Sequence, residues 1–167
     1  MKFEIRKATK KDLESFFSLF SRSLRTYFPE YSDKTVRFFL EKSYRREKIQ
    51  RGLGEDYNLF LAFEDSELIG YLLSDLPYGG VAFCSWIAVS EPYRKKGVGT
   101  ALLKAWEEDS KRIGAHKLRL GTSEEILGFY KKNGFELIGK IPKGYFGTDD
   151  FLLYKKIAEP KEENFVR

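Results

Sequence analysis

The chain has 167 residues, 42% of them hydrophobic and 33% charged, which suits one soluble globular domain with a core of its own. Its net charge of +5, thirty basic residues against twenty-five acidic, permits an anionic ligand without demanding nucleic acid. A single cysteine, Cys84, and a single histidine, His116, exclude an internal disulfide and speak against zinc sites, other metal centres and His-dependent nucleophile schemes.

No apolar run approaches the roughly 18–20 residues of a membrane helix. The opening Met1-Lys2-Phe3-Glu4-Ile5-Arg6 carries a charge at every second position, against a signal peptide, so a cytoplasmic protein with no membrane contact is expected. Asn, Gln, Cys and Met together number only six while Lys and Glu abound, which points to a thermophilic source. A melting midpoint near about 50 °C would contradict that.

Phe3 to Lys7 alternates apolar and charged residues and predicts a first strand. Thr9 then caps a helix with Leu13, Phe16, Phe17 and Phe20 on one stripe. The aromatic segment Thr26 to Ser32, broken by Pro29, reads as a loop, followed by a second helix from Ser32 or Asp33 to about Gln50 with Val36, Phe39 and Leu40 inward. Its basic stretch Lys42 to Arg51 fits a solvated helix face better than a nucleic-acid patch. Gly52 and Gly54 end it.

Leu59 to Phe63 and Leu68 to Leu73 flank Glu64-Asp65-Ser66 as a hairpin. Val81 to Val89 is a long apolar strand, expected to be buried on both faces. Gly97 to Ile113 predicts a helix with Val98, Leu102, Ala105, Trp106 and Ile113 inward. Lys117 to Leu120 predicts a strand, Ser123 to Lys132 a helix closed by Asn133-Gly134, and Phe135 to Ile141 and Asp150 to Lys156 the last two strands. The order β-α-α-β-β-β-α-β-α-β-β gives an α/β fold with a mixed sheet and helices on both faces. Residues 1–157 form the domain and 158–167 a loose tail.

The most informative segment runs from Trp86 to Thr100, a strand passing through Ser90-Glu91-Pro92-Tyr93-Arg94-Lys95-Lys96 into a helix at Gly97-Val98-Gly99-Thr100. Gly97 and Gly99 let an anion approach the backbone, and the first-turn amides and helix dipole favour negative charge. Arg94, Lys95 and Lys96 add formal charge, so the segment is a candidate pyrophosphate site. Neither a P-loop nor a dinucleotide fingerprint fits, the latter because Leu102 stands where a third glycine belongs.

Arg94-x-x-Gly97-x-Gly99 after an Ile-Ala-Val strand resembles the R/Q-x-x-G-x-G/A coenzyme A signature of the GNAT acetyltransferase superfamily. Phe129-Tyr130-Lys131-Lys132-Asn133-Gly134-Phe135 is similar to that family's Y-x-x-x-G-F signature, and Ile5-Arg6-Lys7-Ala8-Thr9 through Asp12-Leu13 to its common start. The resemblance covers residues 3 to about 157 and implies a mostly antiparallel sheet of six to seven strands. It also implies acetyl-coenzyme A as cosubstrate. Backbone groups of Ile87 and Val89 would pair with its pantetheine arm, and amides from Lys95 to Thr100 would hold its pyrophosphate. Tyr130 would protonate the departing thiolate, the alternative being a helix residue that only packs on the sheet. Ser123 stands where many relatives carry a cofactor-contacting Asn, and either contacts the cofactor or serves only as an N-cap.

The resemblance further implies direct attack by a neutral amine, with a backbone amide near Val89 facing the oxyanion. An α-amine titrates near about 8 and a lysine near about 10.4, so a base or water chain is needed, more so for lysine. Some peptide-modifying relatives place Glu twelve residues before the tyrosine, where this chain has Leu118. Glu64, Asp65 and Asp75 are candidates for that base only by their place near strand ends, and each reads better as a turn residue. Cys84 reads as an inert core thiol and His116 as a surface residue.

Pro142-Lys143-Gly144-Tyr145-Phe146-Gly147-Thr148-Asp149-Asp150-Phe151 resembles the aromatic hairpin of N-terminal and ribosomal-protein acetyltransferases, with Phe146 and Phe151 departing from its Tyr and Ala. With Phe28 and Tyr31 opposite, Tyr145 and Phe146 would wall a groove for a protein N-terminus or lysine. The alternatives are a polyamine-like acceptor, met by Glu30, Asp149 and Asp150, and a catalytically silent coenzyme A-binding module. Relatives of this family often pair through sheet edges, so the resemblance leaves room for a homodimer.

Overall fold

The computed structural model describes residues 2–166. After β1 (Glu4–Lys7), Thr9 opens a short 3-10 turn into α1 (Leu13–Thr26). The Asp12 carboxylate accepts from the Thr9 N–H at 2.7 Å and the Thr9 hydroxyl at 2.8 Å, and the Arg6 guanidinium grips it at 2.7 and 2.9 Å. The Arg6 hydrogen bonds hold its carboxyl well below the usual carboxylate range, against the opposing effect of burial. A depressed folded-state value means the stabilisation is complete above the unfolded value, about 4, and is lost as pH falls through the folded one. Asp12→Ala is therefore expected to cost about 1 kcal/mol in urea unfolding at pH 7. The gap to the parent protein should close as the same titration is repeated below about pH 4.

The stripe of α1 buries Leu13, Phe16, Leu19, Phe20 and Leu24, while Phe17 is half-buried at its margin. Ser23, also buried, donates to Phe20 O at 2.9 Å and accepts from the Tyr71 hydroxyl at 2.6 Å, so no polar atom of that pair is stranded in the core.

The second helix departs from expectation. Ser32 caps α2 (Asp33–Phe38), its Oγ accepting from Thr35 N at 3.3 Å, but the turn then widens over Phe39–Ser43 and Tyr44 N donates to Phe39 O at 2.8 Å. The chain restarts as α3 (Arg46–Gly52). In an α-helix, positions five apart point about 140° apart; the wider π-turn brings Tyr44 round to the face of Phe39. Phe39 and Ile49 thus both reach the core and Tyr44 is delivered to the sheet.

The hairpin of β2 (Tyr57–Glu64) and β3 (Glu67–Asp75) turns on Asp65 and Ser66, both left-handed at φ 45° and 71°, which matches the twist of the strands. β4 (Val81–Val89) corrects a second expectation: its residues alternate between buried and half-buried. Trp86 pairs with Leu73 and Cys84 with Ser74, leaving Ser85 as one extra residue in a bulge. The bulge reverses the strand's faces. Before it, Ala82 and Cys84 pack with Leu102 and Trp106 of α4 (Val98–Arg112); beyond it, Trp86 and Ala88 join Phe16, Phe20 and Phe39 on the other side.

β4 runs parallel to β5 (Lys117–Thr122) only from Val81↔Lys117 to Cys84↔Leu120. Past Leu120, β5 keeps its antiparallel pairing with β7 (Thr148–Lys156) out to Thr122↔Phe151, so β4 and β5 diverge and a wedge opens between them. The expected helix Ser123 to Lys132 is a 3-10 turn at Glu124–Ile126 followed by α5 (Leu127–Lys132), with Ile126 at φ −108° and ψ 8° breaking the run. β6 (Glu136–Tyr145) closes the sheet through a tight turn at Phe146 and Gly147. Among the described residues seven strands lie in the order β1-β2-β3-β4-β5-β7-β6, mostly antiparallel, with helices on both faces. Glu162–Phe165 forms a last helical turn, α6, with Asn164 beside Gly114. None of the described helices is long and apolar enough to cross a membrane.

Candidate active site

The wedge continues into a groove of about 670 Å³ bounded by the α1–α2 loop, the bulged part of β4, the end of β5, and the β6–β7 hairpin. Ser90 N donates to Ile69 O at 2.8 Å, so strand alternation turns the backbone groups of Ile87 and Val89 away from β3 and toward the gap. The Val89 carbonyl is taken by Arg94 Nε at 3.0 Å, which leaves the Val89 N–H and both groups of Ile87 on the open edge.

Arg94 lies against the α1 end of the site, its guanidinium 4.0 Å from the centre of the Tyr27 ring, while the Tyr27 hydroxyl accepts from Glu91 N at 3.2 Å. It anchors the loop as much as it charges it. Lys95 and Gly97 are left-handed, at φ 58° and 87°, and Lys95, Lys96 and Thr100 are exposed. α4 begins with no side-chain cap and no acid in its first turn, so the amides of Val98, Gly99 and Thr100 lack the partners a helix start ordinarily has. A Cβ at Gly97 would meet nothing within 4 Å, and one at Gly99 would press on Phe129 at 3.1 Å. An open, uncapped helix start with flanking lysines fits a pyrophosphate.

Tyr130 lines the groove floor beside Cys84 and Thr122 and is only 3% exposed. Burial raises its phenol far above the ordinary tyrosine value, against the pull of a hydrogen bond with Thr122, so it keeps its proton at working pH. Cys84 is buried and its thiol is likewise pushed up by desolvation. Ser123 occupies the N-cap position of its 3-10 turn without donating or accepting as a cap; its hydroxyl meets the Glu125 carboxylate instead. Leu118 is fully buried in the core behind α4. His116 stands just before β5, outside the groove, its backbone N–H donating to Gly80 O at 2.8 Å.

The two aromatic segments do meet. Tyr31 lies 6.3 Å from Tyr145 and Phe28 5.2 Å from Trp86, measured between ring centres, and all four line the groove. Burial pushes the Tyr31 phenol up to about 12 and raises that of Tyr145 as well. Phe146 does not join this lining; it packs on Phe39 at 4.7 Å and Phe38 at 5.8 Å and clamps the hairpin tip to α2. Glu30, Glu124, Glu125, Asp149 and Asp150 also line the groove, with no lysine or arginine among them, although Lys140 holds Asp149 at 2.6 Å.

Sequence reasoning missed Tyr44, Ser85 and Trp86 as groove residues. Tyr44 lay inside a basic stretch and its orientation depends on the π-turn; Ser85 and Trp86 depend on the bulge. A second cavity of about 790 Å³ lies at the other end of the sheet, around Lys7, Asn58, Tyr78 and Arg112. Its polar groups close on one another, Asp109 binding Lys7 at 2.7 Å and Asn58 at 3.1 Å, and it contains none of the expected site residues.

This geometry agrees with comparison to known proteins. The acetyltransferase (GNAT) family profile matches residues 13–135, well over half of the chain, and the chain belongs to that family. It is an N-acetyltransferase that uses acetyl-coenzyme A. Over 145 residues it is 28% identical to an uncharacterized N-acetyltransferase of Methanocaldococcus jannaschii, covering 80% of this chain but only 61% of that protein. It is 26% identical over 168 residues to an N-alpha-acetyltransferase of Sulfurisphaera tokodaii, covering 90% and 91% of the two chains. Among solved structures, the PaiA N-acetyltransferase of Thermoplasma acidophilum in complex with coenzyme A superposes with a TM-score of 0.77 at 28% identity, covering 93% of this chain and 99% of that one.

Proposed function

We propose that the chain acetylates a primary amine of a protein, an N-terminus or a lysine side chain. The observation that carries this is the meeting of the hairpin tip with the α1–α2 loop: Tyr145 and Tyr31 wall the groove beyond the Tyr130 floor, as a peptide end would require. The similarity to a protein named N-alpha-acetyltransferase supports the same reading.

In this reading the amides from Lys95 to Thr100, with the charge of Lys95 and Lys96, hold the pyrophosphate, and Ile87 pairs with the pantetheine arm. When bound, acetyl-coenzyme A supplies an activated acetyl group. The Val89 N–H on the open edge is placed to stabilise negative charge developing on the acetyl oxygen. Tyr130, kept neutral by burial, has a proton to give the departing thiolate.

A second reading has its own observation. Five carboxylates line the groove without a lysine or arginine, in a chain whose net charge is +5, which suits a small polycation. One experiment decides between them: thiol release from acetyl-coenzyme A with N-terminal peptides, lysine peptides and polyamines. Release that depends on peptides supports the first reading, and release with polyamines alone overturns it in favour of the second.

A further inference from the structure

An amine enters this groove as an ammonium ion and must lose a proton before it can attack. The residues nearest the reacting centre do not provide a base. β4 carries no carboxylate, Leu118 is apolar and fully buried, and Tyr130 and Cys84 both hold their protons.

The bulge offers another route. Ser85, the extra residue of β4, lines the groove, and its hydroxyl donates to Asp75 Oδ1 at 3.4 Å. Asp75 is the last residue of β3 and stands behind Ser85, outside the groove lining. The Tyr44 hydroxyl, swung inward by the π-turn, interacts with Ser85 and with Tyr145. A carboxylate, a serine and two tyrosines therefore stand in sequence from the end of β3 to the acceptor wall. Hydrogen bonds of this kind are often long in ligand-free enzymes and tighten when substrate binds.

We infer that Asp75 is the terminal proton acceptor for the incoming amine, reached through the Ser85 hydroxyl. The inference rests on the acetyl-transfer reading of this groove. One N–H bond of the ammonium breaks as Ser85 Oγ takes that proton, and the Ser85 O–H proton passes to Asp75. The nitrogen keeps its electron pair for the new C–N bond, and Asp75 returns the proton to solvent between turnovers. Because Ser85 touches the amine and Asp75 acts through it, Asp75 is a positioning residue in this scheme.

The surroundings of Asp75 suit the role. Burial raises its carboxyl above the ordinary value, Lys48 of α3 pulls the other way, and Tyr44, Tyr57 of β2 and Cys84 of β4 complete the titratable groups around it. A raised carboxyl is better matched to an α-amine near about 8 than to a lysine near about 10.4.

The test compares the parent protein with Asp75→Asn, Asp75→Glu and Ser85→Ala, using the amine that the acceptor panel identifies, at saturating acetyl-coenzyme A from about pH 6 to 10. Asp75→Asn and Ser85→Ala should lower kcat/KM for the amine by about 10²-fold near neutral pH. The deficit should shrink as solvent deprotonates the amine at high pH, with KM for acetyl-coenzyme A unchanged and Asp75→Glu recovering part of the rate. A deficit equal at every pH, or variants that keep the parent's pH profile, overturns the relay while leaving acetyl transfer intact. A parent protein that acetylates no amine refutes the acetyl-transfer reading itself, and the relay with it. Should Asp75→Asn fail to fold, Ser85→Ala carries the same decision.

Discussion

Tyr130→Phe is expected to lower kcat by about 10²–10⁴-fold while leaving coenzyme A affinity unchanged. Tyr130 packs against Phe129 and Phe135 at ring-centre distances of 5.1 and 5.8 Å, contacts that a phenylalanine keeps. What the substitution removes is one hydroxyl, buried beside Cys84 and Thr122 on the groove floor. If that hydroxyl gives its proton to the thiolate, the loss falls on turnover and not on binding. Steady-state kinetics together with calorimetric coenzyme A titration would show the split. A variant as active as the parent would reduce Tyr130 to a packing residue.

Gly97→Val is expected to weaken coenzyme A binding by at least about tenfold. A non-glycine residue in the left-handed region costs about 1–2 kcal/mol, and about 1.4 kcal/mol is a tenfold change in affinity. At φ 87° the valine must either bear that strain or let the loop leave its path, and either way the amides leading into α4 no longer converge on an anion. The Cβ itself meets nothing within 4 Å, so the core is not overpacked and the thermal midpoint should fall only by the few degrees that the backbone strain costs. Calorimetric titration and thermal unfolding of the same preparation test both halves. Undiminished affinity would show that this turn does not govern the pyrophosphate site.

Much of this architecture was legible in the residues. The Asp65-Ser66 hairpin, the phenylalanine stripe of α1 and the glycine-marked start of α4 each rest on local geometry that a few neighbouring residues impose. Tyr130 was found through its spacing to Gly134 and Phe135. What stayed hidden depends on register, which no short window contains. The π-turn at Phe39–Ser43 rotates Tyr44 by most of a residue step, and a sequence of adjacent aromatics does not announce it. The bulge at Ser85 arises from pairing with β3, so neither the half-exposed face of β4 nor the approach of Ser85 to Asp75 could be read from an apolar run. Phe146 was expected on the groove wall, but the tight turn aims it at α2, because the direction of a hairpin tip is set by its turn and not by its composition.

The single extra residue in β4 also constrains how this chain could change. Because Ser85 reverses the strand's two faces, deleting it would leave Cys84 and Trp86 on their present partners, whereas drawing it into the ladder as an ordinary paired residue would shift the phase of everything that follows. Trp86 would turn from Phe20, Phe28 and Phe39 toward α4, and the half-buried Ile87 and Val89 would swing into the aromatic core. Residues on the acceptor side can vary one at a time, since Phe28, Tyr31 and Tyr145 sit on loops and a hairpin. The pairing of β4 with β3 between Cys84 and Trp86 has no such freedom, and in evolutionary terms it is the coordinate on which substrate preference and foldability cannot be separated.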